Sequence, residues 1–372
     1  MVVYLGVRIH LFALVDSIDL VVLMALVLNP TIRSEEEISM LSCFCNSIYR
    51  FAVAGLSFYL VVSNFDKVSA ADGLVGIHSA QVMSQSMPWI AQEAGLFKKH
   101  DLDFRLVFIQ SSPVATAATL NSDAEIQVTG AIGNVRAYVQ GFTDLVFIGG
   151  VKNILTHSVL GKPEMKRPED LKGKKVGVGR FGGNTHYFVI QALRKFNMDA
   201  SKDIQMIQTG GGPETLAALV GGSVDAAGLV APGDSAAVSR GFRYVINGPE
   251  LRIPYGATQI VTLRSTIAKR GPVIGRFMRV MTESAKILHT DKPFVYKVLG
   301  KYLRMTDTKV LDAAYASEVP ALERRLEIHD AALQASLDEI APLDPRAKAI
   351  KPQEMIDRRY LVELEKSGAF GQ

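Results

Sequence analysis

From Gly73 onward, short β-like apolar runs alternate with helical stretches, and the turns between them are rich in small residues. A chain in this order buries its apolar surface as a largely parallel sheet with helices on both faces. Strands are expected at residues 75–78, 102–108, 125–129, 145–148, 175–179, 204–207, 225–230 and 244–246. Helices are expected to start at Ser86-Met87-Pro88 and Ser112-Pro113, where a serine cap precedes a first-turn proline. Gly95 ends the first of them, and further helices are expected at 185–196 and 213–220. A polar connector follows at 162–174, and the chain crosses back at 247–262. Beyond residue 264, Phe277, Val280, Met281, Ala285 and Leu288 repeat at helical spacing. The expected organisation is two α/β lobes, with 71–158 and 251–372 forming lobe 1 and its C-terminal helices, and 159–250 forming lobe 2.

A chain of 372 residues, 48% of them hydrophobic, is long enough for two such cores. Lys and Arg (41) barely outnumber Asp and Glu (37), and no basic run is interleaved with aromatics, so nucleic acid is not an expected partner. Both cysteines, Cys43 and Cys45, lie in the first 70 residues. The rest of the chain therefore needs neither disulfides nor thiol chemistry and tolerates an oxidising compartment.

Those first 70 residues read as a signal-like N-terminal segment. Met40 precedes the basic Arg50, an apolar stretch at 51–62 and the small-residue site Val68-Ser69-Ala70, the three parts of a secretory signal with cleavage near Ala70. The apolar stretch, about 12 residues, is shorter than the ~20 a spanning helix needs, which favours cleavage over a retained anchor. Asp16 and Asp19 interrupt the apolar stretch further upstream, so residues 1–39 read as an extension ahead of the true start. A genuine membrane segment there is the alternative.

Three stretches carry a family resemblance. The first is Ala91-Gln92-Glu93-Ala94-Gly95-Leu96-Phe97, running into Leu102-Asp103-Phe104. The second is Pro168-Glu169-Asp170-Leu171-Lys172-Gly173-Lys174-Lys175-Val176-Gly177-Val178. The third is Gly182-Gly183-Asn184-Thr185-His186-Tyr187, with Gly222-Ser223-Val224-Asp225-Ala226 further on. In their order and spacing the chain resembles the aliphatic-sulfonate, nitrate and taurine type of periplasmic binding protein, a family that also includes the thiamine-pyrimidine synthases. The resemblance implies a type II periplasmic-binding-protein fold, with two α/β lobes, two crossing strands and a ligand cleft between. It implies an extracytoplasmic, monomeric substrate-binding component of an ABC importer, which works with a membrane permease, uses no cofactor and catalyses nothing. Relatives place aromatics soon after the Val-Asp-Ala segment. Gly228-Leu229-Val230-Ala231-Pro232-Gly233 supplies none, so the pocket wall differs and the solute stays open between sulfonate-, nitrate- and pyrimidine-like classes.

In open α/β sheets, ligands bind beyond the carboxyl ends of the strands, where loops lead into helix N-termini with free N–H groups and positive dipole ends. Five loops and one turn fit that description. The candidate binding residues are Ser79, Gln81 and Ser84; Gln110, Ser111 and Ser112; Thr129 and Gly130; Gly182, Gly183, Asn184 and Thr185; Gly211 and Gly212; and Ala231. Small residues let backbone N–H groups approach an anion, and the hydroxyls and amides add donors. Any one of them could equally serve only as a turn residue.

Other signals are weaker. Gly177-Val178-Gly179-Arg180-Phe181-Gly182 matches G-x-G-x-x-G, yet the next strand ends in Gln208-Thr209-Gly210, without the acid that would hold a ribose. His78, His100, His157, His186, His289 and His329 lack metal-ligand spacing, and no G-x-S-x-G elbow occurs. Asp225 reads as a turn-fixing residue. His186 either faces the cleft or is an ordinary half-buried histidine, and Trp89 either stacks on a ligand or belongs to the core. A synthase-like enzyme would require the cysteine-rich motif that the chain after residue 70 lacks. A ligand-sensing periplasmic receptor is the third class.

Overall fold

The computed structural model describes residues 40, 43 and 71–370. The signal-like segment and its upstream extension thus lie outside the described residues, except for Met40 and Cys43, both exposed. Ala71–Gln372 forms one compact unit. No helix among the described residues is long and apolar enough to cross a membrane.

Among the described residues, ten strands form two five-stranded sheets. The first contains β1 (Asp72–His78), β2 (Leu102–Phe108), β3 (Ile126–Thr129), β4 (Leu145–Leu155) and β10 (Ile253–Leu263), in the order β2-β1-β3-β10-β4. The second contains β5 (Ser158–Gly161), β6 (Lys175–Val178), β7 (Gln205–Gln208), β8 (Ala226–Leu229) and β9 (Arg243–Ile246), in the order β7-β6-β8-β5-β9. Within each sheet β1 pairs in parallel with β2 and β3, and β6 with β7 and β8. One strand of each sheet runs the other way: β10 is antiparallel to β3 and β4, and β5 to β8 and β9. These are the strands that follow the two passages of the chain between the sheets, which is why an otherwise parallel pattern becomes mixed.

The strand expected at 102–108 is observed with those bounds. Helices Ser112–Leu120, Asn184–Lys195 and Gly212–Val220 lie within one residue of their expected starts. Two differences concern the first crossing. β4 continues to Leu155 rather than ending at 148, and β5 went unread. Gly149, Gly150, Lys152 and Asn153 break the apolar run that marks a strand. Their partners are remote: the Gly150 N–H donates to the Leu326 carbonyl at 2.8 Å, and a Cβ at Gly150 would meet the Glu327 carbonyl oxygen at 2.1 Å. Glycine is required there because the C-terminal tail lies directly on the strand.

Helix Arg264–Thr290 is kinked at Arg270, two residues before Pro272, whose ring nitrogen cannot donate to the helical ladder. Beyond the kink, Ile274, Phe277, Met278 and Met281 are fully buried on the first sheet's outer layer. Phe277 packs with Phe97 and Phe104 at ring-centroid distances of 6.3 and 5.5 Å. The tail then reaches both halves of the molecule. Helix Asp330–Ile340 packs on β10, while helix Thr308–Glu318 packs against helix Gly233–Val238, which follows β8.

Removing the Phe277 ring leaves a cavity beside Phe97 and Phe104, whose rings are fixed on a helix and on β2. Phe277→Ala is expected to cost about 3–5 kcal/mol, read as a lowered urea midpoint at unchanged slope; a loss below about 1 kcal/mol would show that this layer repacks freely.

Candidate functional site

Each parallel strand delivers its carboxyl end to a short loop, and each loop opens into a helix. A cavity of about 550 Å³ collects these loops from both sheets. From the first sheet come Ser79, Gln81, Ser84, Gln110, Ser111, Ser112 and Gly130, and from the second Gly183, Asn184, Thr185, Gly211 and Gly212. The remaining three candidates, Thr129, Gly182 and Ala231, lie off the cavity wall. Thr129 is fully buried behind Ser79, whose hydroxyl it meets at 2.6 Å. Gly182 lies outside the lining and holds the turn at φ 77°, a conformation that favours glycine. Ala231 is buried between the lining residues Val230 and Pro232.

Helix N-termini are the dominant polar feature of this wall. Ser111, Gly130 and Gly183 occupy the N-cap positions of helices Ser112–Leu120, Ala131–Val139 and Asn184–Lys195, and none supplies a side-chain cap. First-turn N–H groups have no partner within a helix, so here they are left for a ligand or water. Helix Gly212–Val220 differs, because the Glu214 carboxylate accepts from the Gly211 N–H at 3.0 Å.

The side chains around these termini are held in place. The Gln85 amide oxygen accepts from the N–H groups of Ser79 and Ala80 at 2.7 and 2.8 Å, and the hydroxyls of Ser84 and Thr258 meet at 2.8 Å. Two contacts cross between the loop sets: Arg180 donates to the Gln110 side-chain oxygen at 3.2 Å, and the Asn184 amide donates to the Ala257 carbonyl at 2.7 Å.

Several lining residues escaped the sequence reading. Lys152 and His157 come from the end of β4 and the turn after it, and Arg240 follows helix Gly233–Val238. Arg304, Met305, Thr306 and Asp307 come from the C-terminal tail. A lysine inside an apolar run was a readable signal for the first. Nothing local marks the tail residues, whose place depends on how distant helices pack.

Lys152 is 1% exposed, and its ammonium donates to Glu318 Oε1 at 2.5 Å and to Thr156 Oγ1 at 3.0 Å. The Thr156 hydroxyl in turn donates to Glu318 Oε2 at 2.5 Å. Beside this network His157 stacks on Phe188, and its Nδ1 has no partner. Burial, and then the Lys152 charge, hold its pKa well below the usual imidazole value, so it is neutral at pH 7. The two open alternatives resolve toward structure. His186 lies off the cavity and accepts from the Gly182 N–H at 3.3 Å. Trp89 is a core residue, stacked on Tyr302 and set edge-on to His78.

Two compact sheets with one reversed strand each, joined by two passages and enclosing a cavity at their carboxyl edges, define the periplasmic-binding-protein fold. Residues 86–292 match the NMT1/THI5-like family, and the chain belongs to it. No curated protein sequence matches the chain. Among solved structures it is similar to the alkanesulfonate-binding protein SsuA of Xanthomonas axonopodis pv. citri bound to MOPS, at 19% identity and a TM-score of 0.66, covering 78% of this chain and 100% of that one. It is similar to the periplasmic aliphatic sulphonate binding protein SsuA of Escherichia coli, at 21% identity and a TM-score of 0.64, covering 77% and 92%. The desulfurization enzyme DszB has the same fold, at 13% identity and a TM-score of 0.61, covering 80% and 99%.

The buried imidazoles at this edge make stability depend on pH. His78, at the end of β1, is lowered by burial to about 4, and burial, with the Lys152 charge, lowers His157 in the same direction. Both are neutral when folded yet protonate at about pH 6.5 when unfolded. Their contribution is therefore present above pH 6.5 and lost as pH falls toward the folded values, with His78 alone worth on the order of 3 kcal/mol. Urea midpoints should fall from pH 7 to pH 4, less steeply in His78→Gln. A flat profile would contradict neutral, buried imidazoles.

Proposed function

We propose that this chain is the extracytoplasmic substrate-binding component of an ABC importer, capturing a small organic anion by closure of two lobes and passing it to a membrane permease. On this reading the lobes are 71–158 with 251–372, and 159–250, the mature chain starts near Ala71 after export, and it works as a monomer. The observation that carries the proposal is the cavity lined from both sheets by helix N-termini whose first-turn N–H groups have no side-chain caps. Such termini favour negative groups through their dipoles and their unpaired donors. A solute that engages both loop sets favours the closed arrangement by its differential affinity for it.

The sulfonate-binding proteins of the same fold support this class of ligand. The cavity also has room for an organic body beyond the head group, with Phe108, Leu216, Leu229 and Val310 among its walls. The desulfurization enzyme of this fold supports a second reading, in which the bound molecule is converted.

Native mass spectrometry of the purified chain, followed by melts with sulfonates, nitrate, carboxylates and pyrimidines, separates the two. Capture predicts one small anion per chain, recovered unchanged after prolonged incubation. It also predicts stabilisation that grows with ligand concentration, by about 2.7 kcal/mol at a hundredfold excess over Kd. A chemically altered product would establish the enzyme reading, and absence of any bound or stabilising solute would contradict both.

A further inference from the structure

We propose that Lys152 is the residue through which the cavity selects a negatively charged head group, with Glu318 as the positioning residue that holds its ammonium in place. The inference rests on the solute-binding reading and names the group that sets its charge preference.

An ammonium carries three donors. Glu318 and Thr156 take two of those on Lys152, and the third has no partner among the described residues. Lys152 is among the residues that line the cavity and Glu318 is not, so the lysine is the member of the buried pair nearer a ligand. Both carboxylate oxygens are already engaged, one by Lys152 and one by Thr156. A ligand group at this spot therefore meets an available donor and no free acceptor from the pair.

The surrounding charges point the same way. Arg180, Arg240 and Arg304 also line the cavity, against two acids, Glu214 and Asp307. Each acid is occupied at a helix start: Glu214 accepts from the Gly211 N–H at 3.0 Å, and Asp307 from the N–H groups of Lys309 and Val310 at 2.9 and 3.3 Å. His157, the remaining titratable neighbour, is neutral. A buried ion pair contributes little stability over apolar residues of the same volume. Recognition of a ligand explains this pair better than folding does. The favoured head group is an oxoanion such as a sulfonate or carboxylate, which accepts the third Lys152 N–H while the first-turn N–H groups take its other oxygens.

The test compares isosteric probes with and without charge: ethanesulfonate with ethanesulfonamide, and propionate with propionamide, each titrated by calorimetry. The wild-type chain should bind the charged member of at least one pair at least tenfold more tightly. Lys152→Met combined with Glu318→Met removes both charges and leaves neither buried alone. It should weaken the charged probe ten- to a hundredfold, leave the neutral probe unchanged and so erase the preference, whereas Lys152→Arg should keep it. A folded double variant with wild-type preference, or an equal loss for both members, would overturn the inference and leave the solute-binding reading standing. If the double variant does not melt cooperatively, Lys152→Arg decides: a retained preference supports the proposal and a lost one overturns it. A wild-type chain that binds no probe, or prefers the neutral ones, would contradict the anionic reading beneath it.

Discussion

A parallel sheet sends every following helix back across its face, so the helix N-termini gather at one edge, and the backbone N–H groups of each first turn are left without partners inside the helix. In this molecule two such sheets are joined by a chain that passes between them twice, and the helix-bearing edges of both contribute to a single cavity. The strand reversals, the glycine-rich loops and the missing side-chain caps all serve that arrangement. Had capping side chains filled the positions of Gly130 and Gly183, those helices would gain only about a few tenths of a kcal/mol each. The cavity would lose the donors that give it a chemical preference.

Against this backbone-built wall, the C-terminal tail adds what the loops lack. It supplies Glu318 to hold Lys152, Arg304 and Asp307 to the rim, and a helix that packs on the second half of the molecule. Gly150 shows how closely the tail is fitted, since no larger residue could accommodate the Glu327 carbonyl beside β4. The tail is therefore part of the site as well as a support for the first sheet.

How much of this was legible depended on the range of the interaction involved. β2 could be read because its alternation is local, and the helix starting at Ser112 because its cap and proline are adjacent in sequence. The loop residues could be read as a group, since small polar residues after strands mark the carboxyl edge of an α/β sheet. Thr129, Gly182 and Ala231 sit beside lining residues in sequence, and only the course of the backbone places them off the cavity wall. The second half of β4 was hidden because Lys152 and Asn153 are tolerable in a buried strand only through Glu318, Glu323 and the Glu327 carbonyl, more than 150 residues away. Polar residues whose partners are that remote interrupt a local pattern without ending the element.

The central claim is that one solute is held by backbone donors from both halves at once, and amide hydrogen exchange tests it most directly. Unpartnered first-turn N–H groups exchange fast in the free protein. Adding the co-purified solute at saturation should slow exchange together at Ser112, Val114 and residues 131–133, after the first sheet's strands, and at residues 184–186, Gly212 and Glu214, after the second's. Protection confined to one half, or lying away from all four helix starts, would contradict the account.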